Sequence, residues 1–359
     1  MLKVFPKNSI LTKSATNGIY HILRWMRERE SQTIVILPCN ICFQVLMAIW
    51  QAKVMYEFID TDINTGNMSI DSLSERLRDM PIKETKQIIL FCAHINGIVQ
   101  DMGKIKYICD KYGVFILEDC AQSVLSEYRC KTNDLMGSYG DFAVYSFGSS
   151  KQINLGGGGL IKTRLSNFAI KPENKKYNSA NNGNTAFRDE YYRLLNLITD
   201  KDEDVCSKKE MYRLMLKWSE YYTHNGDPAK KQDIERKLQT VNEICAQYKK
   251  TTRYVTTLLK PYSGQIRILD SKDTDVLWRF SILMKSKNSR DELLQRLWAC
   301  DLSANKLYPS LPLILGFHQK EKSQATDFTN RILNFPINNG KSDELKSTIK
   351  VITGFLNYG

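Results

Sequence analysis

Several features that would place this chain in a simple class are missing. No apolar run approaches the roughly 18 residues of a membrane span, and the first ten residues hold no long apolar core, so we expect neither a membrane segment nor a signal peptide. Beside Cys39 and Cys42 there is no second C-x-x-C, and the four histidines are scattered, so a zinc knuckle lacks its second ligand pair. The nine cysteines are odd in number and unevenly spaced, which favours reduced thiols in the cytosol over a disulfide framework.

A long basic block is also missing, although the net charge is +12. Nucleic-acid binding is one interpretation of that charge. Dispersed Lys and Arg residues favour a solvated surface, and they are also compatible with attraction of an anionic substrate. With 359 residues, 42% of them apolar and 25% charged, the chain has the composition of a globular protein large enough for a large and a small domain.

Short apolar runs alternate with helical patterns through the first 150 residues. Ile19, Ile22, Leu23 and Met26 share one helical face, while the runs at 33–37, 87–93 and 114–117 have the length and composition of buried strands. Strands that alternate with helices of this length predict an α/β fold whose mostly parallel sheet is covered by helices on both faces.

The composition changes after residue 163, and the change suggests the domain limits. Residues 1–231 are predicted to form a large domain that includes a variable helical insertion at 164–231. Its polar stretch at 171–184 is followed by two amphipathic patterns, near 187–198 and 211–221. One long helix at 232–262 is predicted to link this domain to a small C-terminal α+β domain at 263–359.

A lysine and an acid stand in an order that suits pyridoxal phosphate chemistry. Lys151 lies five residues after Ser146, in the segment GDFAVYSFGSSK, and the strand that precedes this segment along the chain ends in LEDCAQ. A lysine can hold the cofactor aldehyde as a Schiff base, and a carboxylate can keep the pyridine nitrogen protonated so that the ring takes up electrons. Glu118 and Asp119 are adjacent on a strand and point to opposite sides, so only one of them can serve the cofactor.

The order of these segments resembles the DegT/StrS family of nucleotide-sugar aminotransferases that depend on pyridoxal phosphate. The resemblance is strong over residues 14–163, weak over 164–230 and moderate beyond. Its segments are SATNG at 14–18, HINGIVQDM at 94–102, FILEDCAQS at 115–123, GDFAVYSFGSSK at 140–151, GGGGLIKT at 156–163, NKLYPSLPL at 305–313 and RILNFPIN at 331–338. Two positions differ from the family pattern: Gly157 replaces a usual glutamate, and Cys42, next to Phe43, stands near a usual aromatic ring.

The resemblance implies a fold-type-I pyridoxal phosphate enzyme and gives its residues roles. Lys151 would be the catalytic residue, both Schiff-base former and proton carrier. Asp119 would pair with the ring nitrogen and Gln122 with the ring's phenolic oxygen. The phosphate would be held by Ala15, Thr16 and Asn17, at a turn that opens a helix, and by the hydroxyl of Ser146. No metal is expected.

The same resemblance implies a reaction and an assembly. An amino group would pass from an amino acid, glutamate in the first instance, to a keto sugar carried on a nucleotide diphosphate, for polysaccharide or glycosylated-metabolite biosynthesis. The enzyme would be a cytoplasmic homodimer with a shared active site, to which the partner subunit supplies an asparagine from the stretch 178–184. Two alternatives stay open: other pyridoxal phosphate chemistry on a sugar or a non-sugar ketone, and a non-catalytic regulatory protein that binds the cofactor.

Overall fold

The computed structural model describes residues 8–80, 87–127, 136–171, 183–200, 205–317, 323–337 and 342–358. Its strands are β1 Ser9–Thr12, β2 Thr33–Pro38, β3 Met55–Ile59, β4 Gln87–Ala93, β5 Phe115–Asp119, β6 Phe142–Ser146, β7 Gly159–Thr163, β8 Ile266–Ile268, β9 Arg279–Met284 and β10 Ile332–Pro336. Its α-helices are α1 Ala15–Arg29, α2 Phe43–Ala52, α3 Ile70–Asp79, α4 Met102–Tyr112, α5 Gly183–Asp200, α6 Val205–His224, α7 Lys231–Gln239, α8 Val241–Leu259, α9 Lys287–Ala299, α10 Leu311–Leu315, α11 Gln324–Arg331 and α12 Ser342–Tyr358.

Within the described residues, seven strands form the larger sheet in the order β1-β7-β6-β5-β4-β2-β3. The five strands from β6 to β3 are parallel, whereas β7 runs antiparallel to both β6 and β1. The predicted mostly parallel sheet is therefore confirmed. The antiparallel edge was not predicted, because β1 is only four residues long and β7 begins inside a run of glycines.

The central strands of this sheet are buried on both faces, as the unbroken apolar runs predicted. Along β2, Val35 and Leu37 face one core with α1 and α2, while Ile36 between them faces a second core with α3 and α4. Successive side chains on a strand point to opposite faces, so a strand covered on both faces has to be apolar at every position. The carboxyl ends of the parallel strands are left as the edge where a ligand can reach the backbone.

Two helices from the variable region complete the first of these cores. The amphipathic patterns correctly predicted α5 and α6, and Phe187, Tyr191, Leu194 and Met211 are each no more than 2% exposed. These side chains belong to the same core as α1 and α2. Helices α5 and α6 thus contribute to the core on one face of the larger sheet, whereas residues 172–182 of the preceding polar stretch lie outside the described residues.

The predicted linking helix is interrupted, and this corrects the expectation of one long helix. Helices α7 and α8 meet at Thr240, whose backbone N–H bonds to the carbonyls of Leu238 and Lys237 and whose hydroxyl also donates to the Lys237 carbonyl at 3.1 Å. A threonine hydroxyl that bonds to nearby backbone competes with regular helix, and here it accompanies the break.

The C-terminal part is built on a small antiparallel sheet. Its strand order is β10-β9-β8, and the buried faces of α9, α11 and α12 share the core with these strands. This mixture of helices and strands agrees with the predicted α+β character. In the part of the chain that is described, no helix has both the length and the apolar composition required to cross a membrane.

Candidate active site

Lys151 lies in the turn that follows β6, at the carboxyl edge of the parallel strands. Its backbone N–H donates to the Gly148 carbonyl at 2.9 Å, and its Nζ lies 4.6 Å from the centroid of the Trp278 ring. The indole N–H of Trp278 donates to the Ser150 carbonyl at 2.5 Å, so the tryptophan is fixed to the lysine turn by its edge and to the lysine by its face. Trp278 immediately precedes β9 and therefore brings the small sheet to the lysine.

Burial lowers the pKa of the Lys151 amine, although the nearby Cys42 and Asp119 act in the opposite direction. A lowered pKa makes the neutral amine more available at a given pH, and the neutral amine is the form that attacks an aldehyde. Lys151 is thus chemically suited to the role that its position in the sequence suggested.

Asp119 is the last residue of β5, and one of its carboxylate oxygens, Oδ1, accepts the backbone N–H of Ala121 at 2.9 Å. Burial raises the pKa of Asp119, while the Ala121 N–H and the charges of Lys151 and His94 oppose that rise. Lys151 and Asp119 each influence the other's pKa, so the structure brings the two predicted partners into one electrostatic environment.

Glu118 points to the opposite face, as the strand alternation predicted, and has its own partners there. Its Oε1 accepts the backbone N–H of Gly140 at 2.5 Å, and its Oε2 lies 3.3 Å from Nε2 of His94. Because Nδ1 of His94 accepts the Gln100 N–H at 3.3 Å, Nε2 is the nitrogen that carries a proton toward Glu118. Glu118 is a buried structural acid, and Asp119 is the acid on the side of the lysine.

Cys120 joins His94 and Glu118 in a buried cluster whose ligand-type atoms lie within 4.8 Å of one another. The histidine and the carboxylate are already bonded to each other and to backbone N–H groups. Burial, together with the neighbouring acids, raises the pKa of the Cys120 thiol well above its usual value. The hydrogen bonds of His94 and Glu118 account for the burial of these two polar side chains.

Gln122 occupies the turn after β5 and bridges two other segments. Its Oε1 accepts the backbone N–H of Asn96 at 2.8 Å, and its Nε2 donates to the phenolic oxygen of Tyr308 at 2.9 Å. An amide nitrogen carries two hydrogens, so Gln122 keeps one further donor for a ligand. These bonds fix the orientation of the Gln122 side chain. Its contact with the ring oxygen of the cofactor stays a prediction.

The predicted phosphate turn opens α1, and Ser14 caps that helix by accepting the Asn17 N–H on its hydroxyl at 3.0 Å. The side chain of Asn17 is also occupied, since Nδ2 donates to the Thr223 carbonyl and Oδ1 accepts the Lys13 N–H. Among the described residues, the backbone N–H groups of Ala15 and Thr16 have no hydrogen-bond acceptor. Free N–H groups at a helix start, where the helix dipole is positive, favour an anion.

Gly159 brings this helix start next to Ser146. In the sheet register Gly159 lies between Thr12 of β1 and Ser146 of β6. A Cβ at position 159 would come within 2.4 Å of the Ser14 carbonyl carbon and 2.6 Å of the Ala15 nitrogen, so only glycine permits this approach. Ser146, the partner of Gly159 on β6, is thereby one strand away from the free N–H groups of α1, and its hydroxyl lies 3.5 Å from the Gly148 nitrogen.

The donor set fits pyridoxal phosphate. The residues present provide a lysine that burial favours in its neutral form, an acid on the same side of the sheet, and an anion site made of the Ala15 and Thr16 amides with the Ser146 hydroxyl. These are the groups that the aldehyde, the pyridine nitrogen and the phosphate each require.

Sequence reasoning missed three residues of this site: Trp278, Arg279 and Tyr308. The first two stand at the start of a strand-like run and the third in the segment NKLYPSLPL, where nothing local distinguishes them from core or surface residues. The packing also shows which of the two neighbours Cys42 and Phe43 lies close to Lys151. Phe43 contacts Tyr191 at 4.7 Å between ring centroids, and Cys42 is the residue close enough to Lys151 to influence its pKa.

Comparison with known proteins agrees with this geometry. The model of the DegT/DnrJ/EryC1/StrS aminotransferase family matches residues 4–186. GDP-perosamine synthase of Escherichia coli O157:H7 is 30% identical over 129 residues, which cover 36% of this chain and 33% of that protein. EpsN of Bacillus subtilis, whose name includes the words pyridoxal phosphate-dependent aminotransferase, is 27% identical over 164 residues, or 44% of this chain and 40% of EpsN. Each match thus spans less than half of the relative's length.

The fold is shared over nearly the whole chain. The structure of Helicobacter pylori PseC, an aminotransferase involved in the biosynthesis of pseudoaminic acid, aligns with a TM-score of 0.70 over 98% of this chain and 87% of PseC, at 15% identity. The aminotransferase TlmJ from Streptoalloteichus hindustanus gives a TM-score of 0.70 at 18% identity, over 99% of this chain and 88% of TlmJ. At these identities the likeness concerns the fold.

Proposed function

The chain belongs to the DegT/DnrJ/EryC1/StrS aminotransferase family, and on that premise we propose that it is a pyridoxal phosphate-dependent aminotransferase that acts on a nucleotide-linked sugar. The amino group would come from an amino acid such as glutamate and would pass to a keto sugar on a nucleotide diphosphate. The similarity to a GDP-perosamine synthase supports the substrate class.

One observation carries the proposal: Lys151 and Asp119 are half-buried and close enough to influence each other's pKa, at the carboxyl edge of neighbouring parallel strands. Pyridoxal phosphate, when bound, supplies an aldehyde that accepts the amino group and a ring that takes up an electron pair. Lys151 would hold the aldehyde and then, as a free amine, carry a proton to and from the substrate carbon. Asp119 would keep the ring nitrogen protonated by charge attraction.

The remaining residues would bind the cofactor or limit the access of water. The amides of Ala15 and Thr16 and the Ser146 hydroxyl would bind the phosphate, and Gln122 would donate its second hydrogen to the ring oxygen. Trp278 covers the lysine from the side of the small sheet and would limit the access of water to its amine. Asn17 bonds to Ser14 and Thr223 within the protein, so its contribution would be to stiffen the turn.

We also propose the homodimer that the resemblance implies. The proposed anion site would offer two amides and a hydroxyl, and a doubly charged phosphate can accept further donors. In a two-fold dimer each subunit can complete the other's site reciprocally. Of the candidate stretch 178–184, residues 178–182 lie outside the described residues.

A reduction experiment tests the function. Protein loaded with pyridoxal phosphate and treated with borohydride should carry the reduced cofactor on Lys151, as located by peptide mapping, and wild-type protein should consume glutamate in single-turnover mixing. Lys151→Ala should bind the cofactor weakly and transfer no amino group. A surface variant, Lys104→Ala, is the control, since its side chain is exposed on α4. A reduced adduct on another lysine, or amino transfer by Lys151→Ala, would refute the assignment.

A further inference from the structure

Arg279, the first residue of β9, is a half-buried cation, and the described residues offer no acidic partner within 4 Å of it. Its Nε donates to Oδ1 of Asn334 at 2.6 Å and its Nη2 to the Asn334 carbonyl at 3.3 Å, both neutral acceptors. No described carboxylate lies within 4 Å of it, whereas the guanidinium of Arg290, in the same part of the molecule, meets Asp291 at 2.5 Å. A charge that is partly removed from water and has no counter-charge favours the binding of an anion beside it.

The surroundings of Arg279 point in the same direction. Burial lowers its pKa to about 10, and the groups that oppose this effect are two tyrosines, Tyr308 and Tyr192, and the more distant Glu344. Glu344 is used elsewhere, since its Oε1 accepts the Ser303 N–H at 3.1 Å. At neutral pH the guanidinium therefore remains charged, and Nη1 has no hydrogen-bond acceptor among the residues described.

Arg279 is connected to the lysine site by two routes. Its Cζ lies 5.7 Å from the Trp278 ring, and Nζ of Lys151 lies 4.6 Å from the same ring, so the two cations are at most about 10 Å apart. Tyr308, which influences the pKa of Arg279, accepts the Gln122 amide hydrogen. A small anion bound by Arg279 would thus lie within reach of an amine or carbonyl that reacts at Lys151.

We propose that Arg279 binds a carboxylate of the amino-acid donor while the donor's amino group lies at Lys151. This inference rests on the proposed function and adds the residue that recognises the donor. The carboxylates of an amino acid lie roughly 3 to 7 Å from its amino nitrogen, which fits the space between the two cations. The guanidinium edge that Asn334 leaves open, beside the Trp278 ring, suits one planar, singly charged carboxylate, because Asn334 already occupies the Nε side.

The other anion in the reaction is the diphosphate of the acceptor, and the experiment separates the two. Binding of glutarate, a dicarboxylate without an amine, and of dTDP and GDP would be measured by calorimetry on the cofactor-loaded protein. The carboxylate loses its charged partner in Arg279→Met, so the affinity for glutarate should fall roughly 30-fold or more. The affinity of this variant for each nucleotide should stay within about 3-fold of wild type, a change of less than 1 kcal/mol.

Two further variants keep the test decisive. Arg279→Lys keeps the charge without the planar fork, so its affinity for glutarate should fall between those of wild type and Arg279→Met. Arg267→Met removes an exposed arginine from β8 of the same sheet and should change neither ligand. The KM for glutamate should rise in parallel with the loss of glutarate affinity, while the KM for the sugar acceptor stays constant.

Three results would overturn the inference: wild-type protein that does not bind glutarate, Arg279 variants that bind it as wild type does, or variants that lose the nucleotides instead. The last result would assign Arg279 to the acceptor diphosphate. Failure of the proposed function is a separate outcome, since it would show as borohydride labelling away from Lys151 whatever the affinity for glutarate.

Discussion

Gly159 is predicted to be the glycine on which the anion site depends. Replacement by alanine would place a Cβ 2.4 Å from the Ser14 carbonyl carbon, 2.6 Å from the Ala15 nitrogen and 2.7 Å from the Ser14 oxygen. Ordinary contacts begin near 3.4 Å, so α1 and β7 have to separate by about 1 Å. All three atoms belong to backbone, so no flexible side chain can yield.

The expected cost follows from overpacking. Extra methyl groups in a tightly packed region destabilise by about 1–3 kcal/mol, and here the strain falls on the strand that pairs with both Thr12 and Ser146. We therefore expect Gly159→Ala to lower the free energy of unfolding by that amount. In this variant the Ala15 and Thr16 amides would move away from Ser146. The affinity of the variant for pyridoxal phosphate should therefore fall at least tenfold, which corresponds to about 1.4 kcal/mol.

Gly157 provides the matched control in the same glycine run. A Cβ there meets nothing within 4 Å, and its backbone is outside the left-handed region. Gly157→Ala should therefore be neutral, or stabilising by about 0.4–1 kcal/mol through the lower entropy of the unfolded chain. Urea unfolding of the cofactor-free proteins and titration with pyridoxal phosphate measure both effects. If Gly159→Ala unfolds and binds the cofactor as Gly157→Ala does, the reasoning about this contact is refuted.

Two further predictions concern the acids and the lysine. Asp119→Asn should keep wild-type stability and lose roughly 100-fold or more in the rate of amino transfer. Glu118→Gln should lower the free energy of unfolding by about 1–3 kcal/mol, because an amide group replaces one of the two oxygens that contact Gly140 and His94. The reverse pattern in urea unfolding and single-turnover rates would contradict the assignment of faces. Burial lowers the pKa of Lys151 in the folded state, so the unfolded chain holds that proton more tightly and folding is penalised at neutral pH. Cofactor-free Lys151→Met should therefore be more stable than wild type at pH 7, and the gain should vanish as the pH rises toward the ordinary lysine pKa of about 10.4; a gain that persists unchanged at that pH would contradict the shift.

The sequence alone was sufficient for the parallel sheet and the lysine-acid pair, and the reason is local. A strand buried on both faces must be apolar throughout, so β2, β4 and β5 are legible as runs of four to seven residues. The period of two in a strand also required Glu118 and Asp119 to face opposite sides, and the structure gives Glu118 its partners on the far side. The family resemblance then selected Asp119 from its place in the motif.

Tertiary structure decided what depends on residues distant in sequence. Trp278 and Arg279 are more than 120 positions from Lys151, and they reach the site only because β9 lies where the small sheet meets the lysine turn. The role of Gly159 arises from a contact between β7 and the start of α1, which no pattern within GGGGLIKT reveals. Propensity and periodicity describe which side chains share a face of one helix or strand. The absence of a counter-charge near Arg279 and the backbone contact at Gly159 depend on two segments, and they are set only when packing brings those segments together.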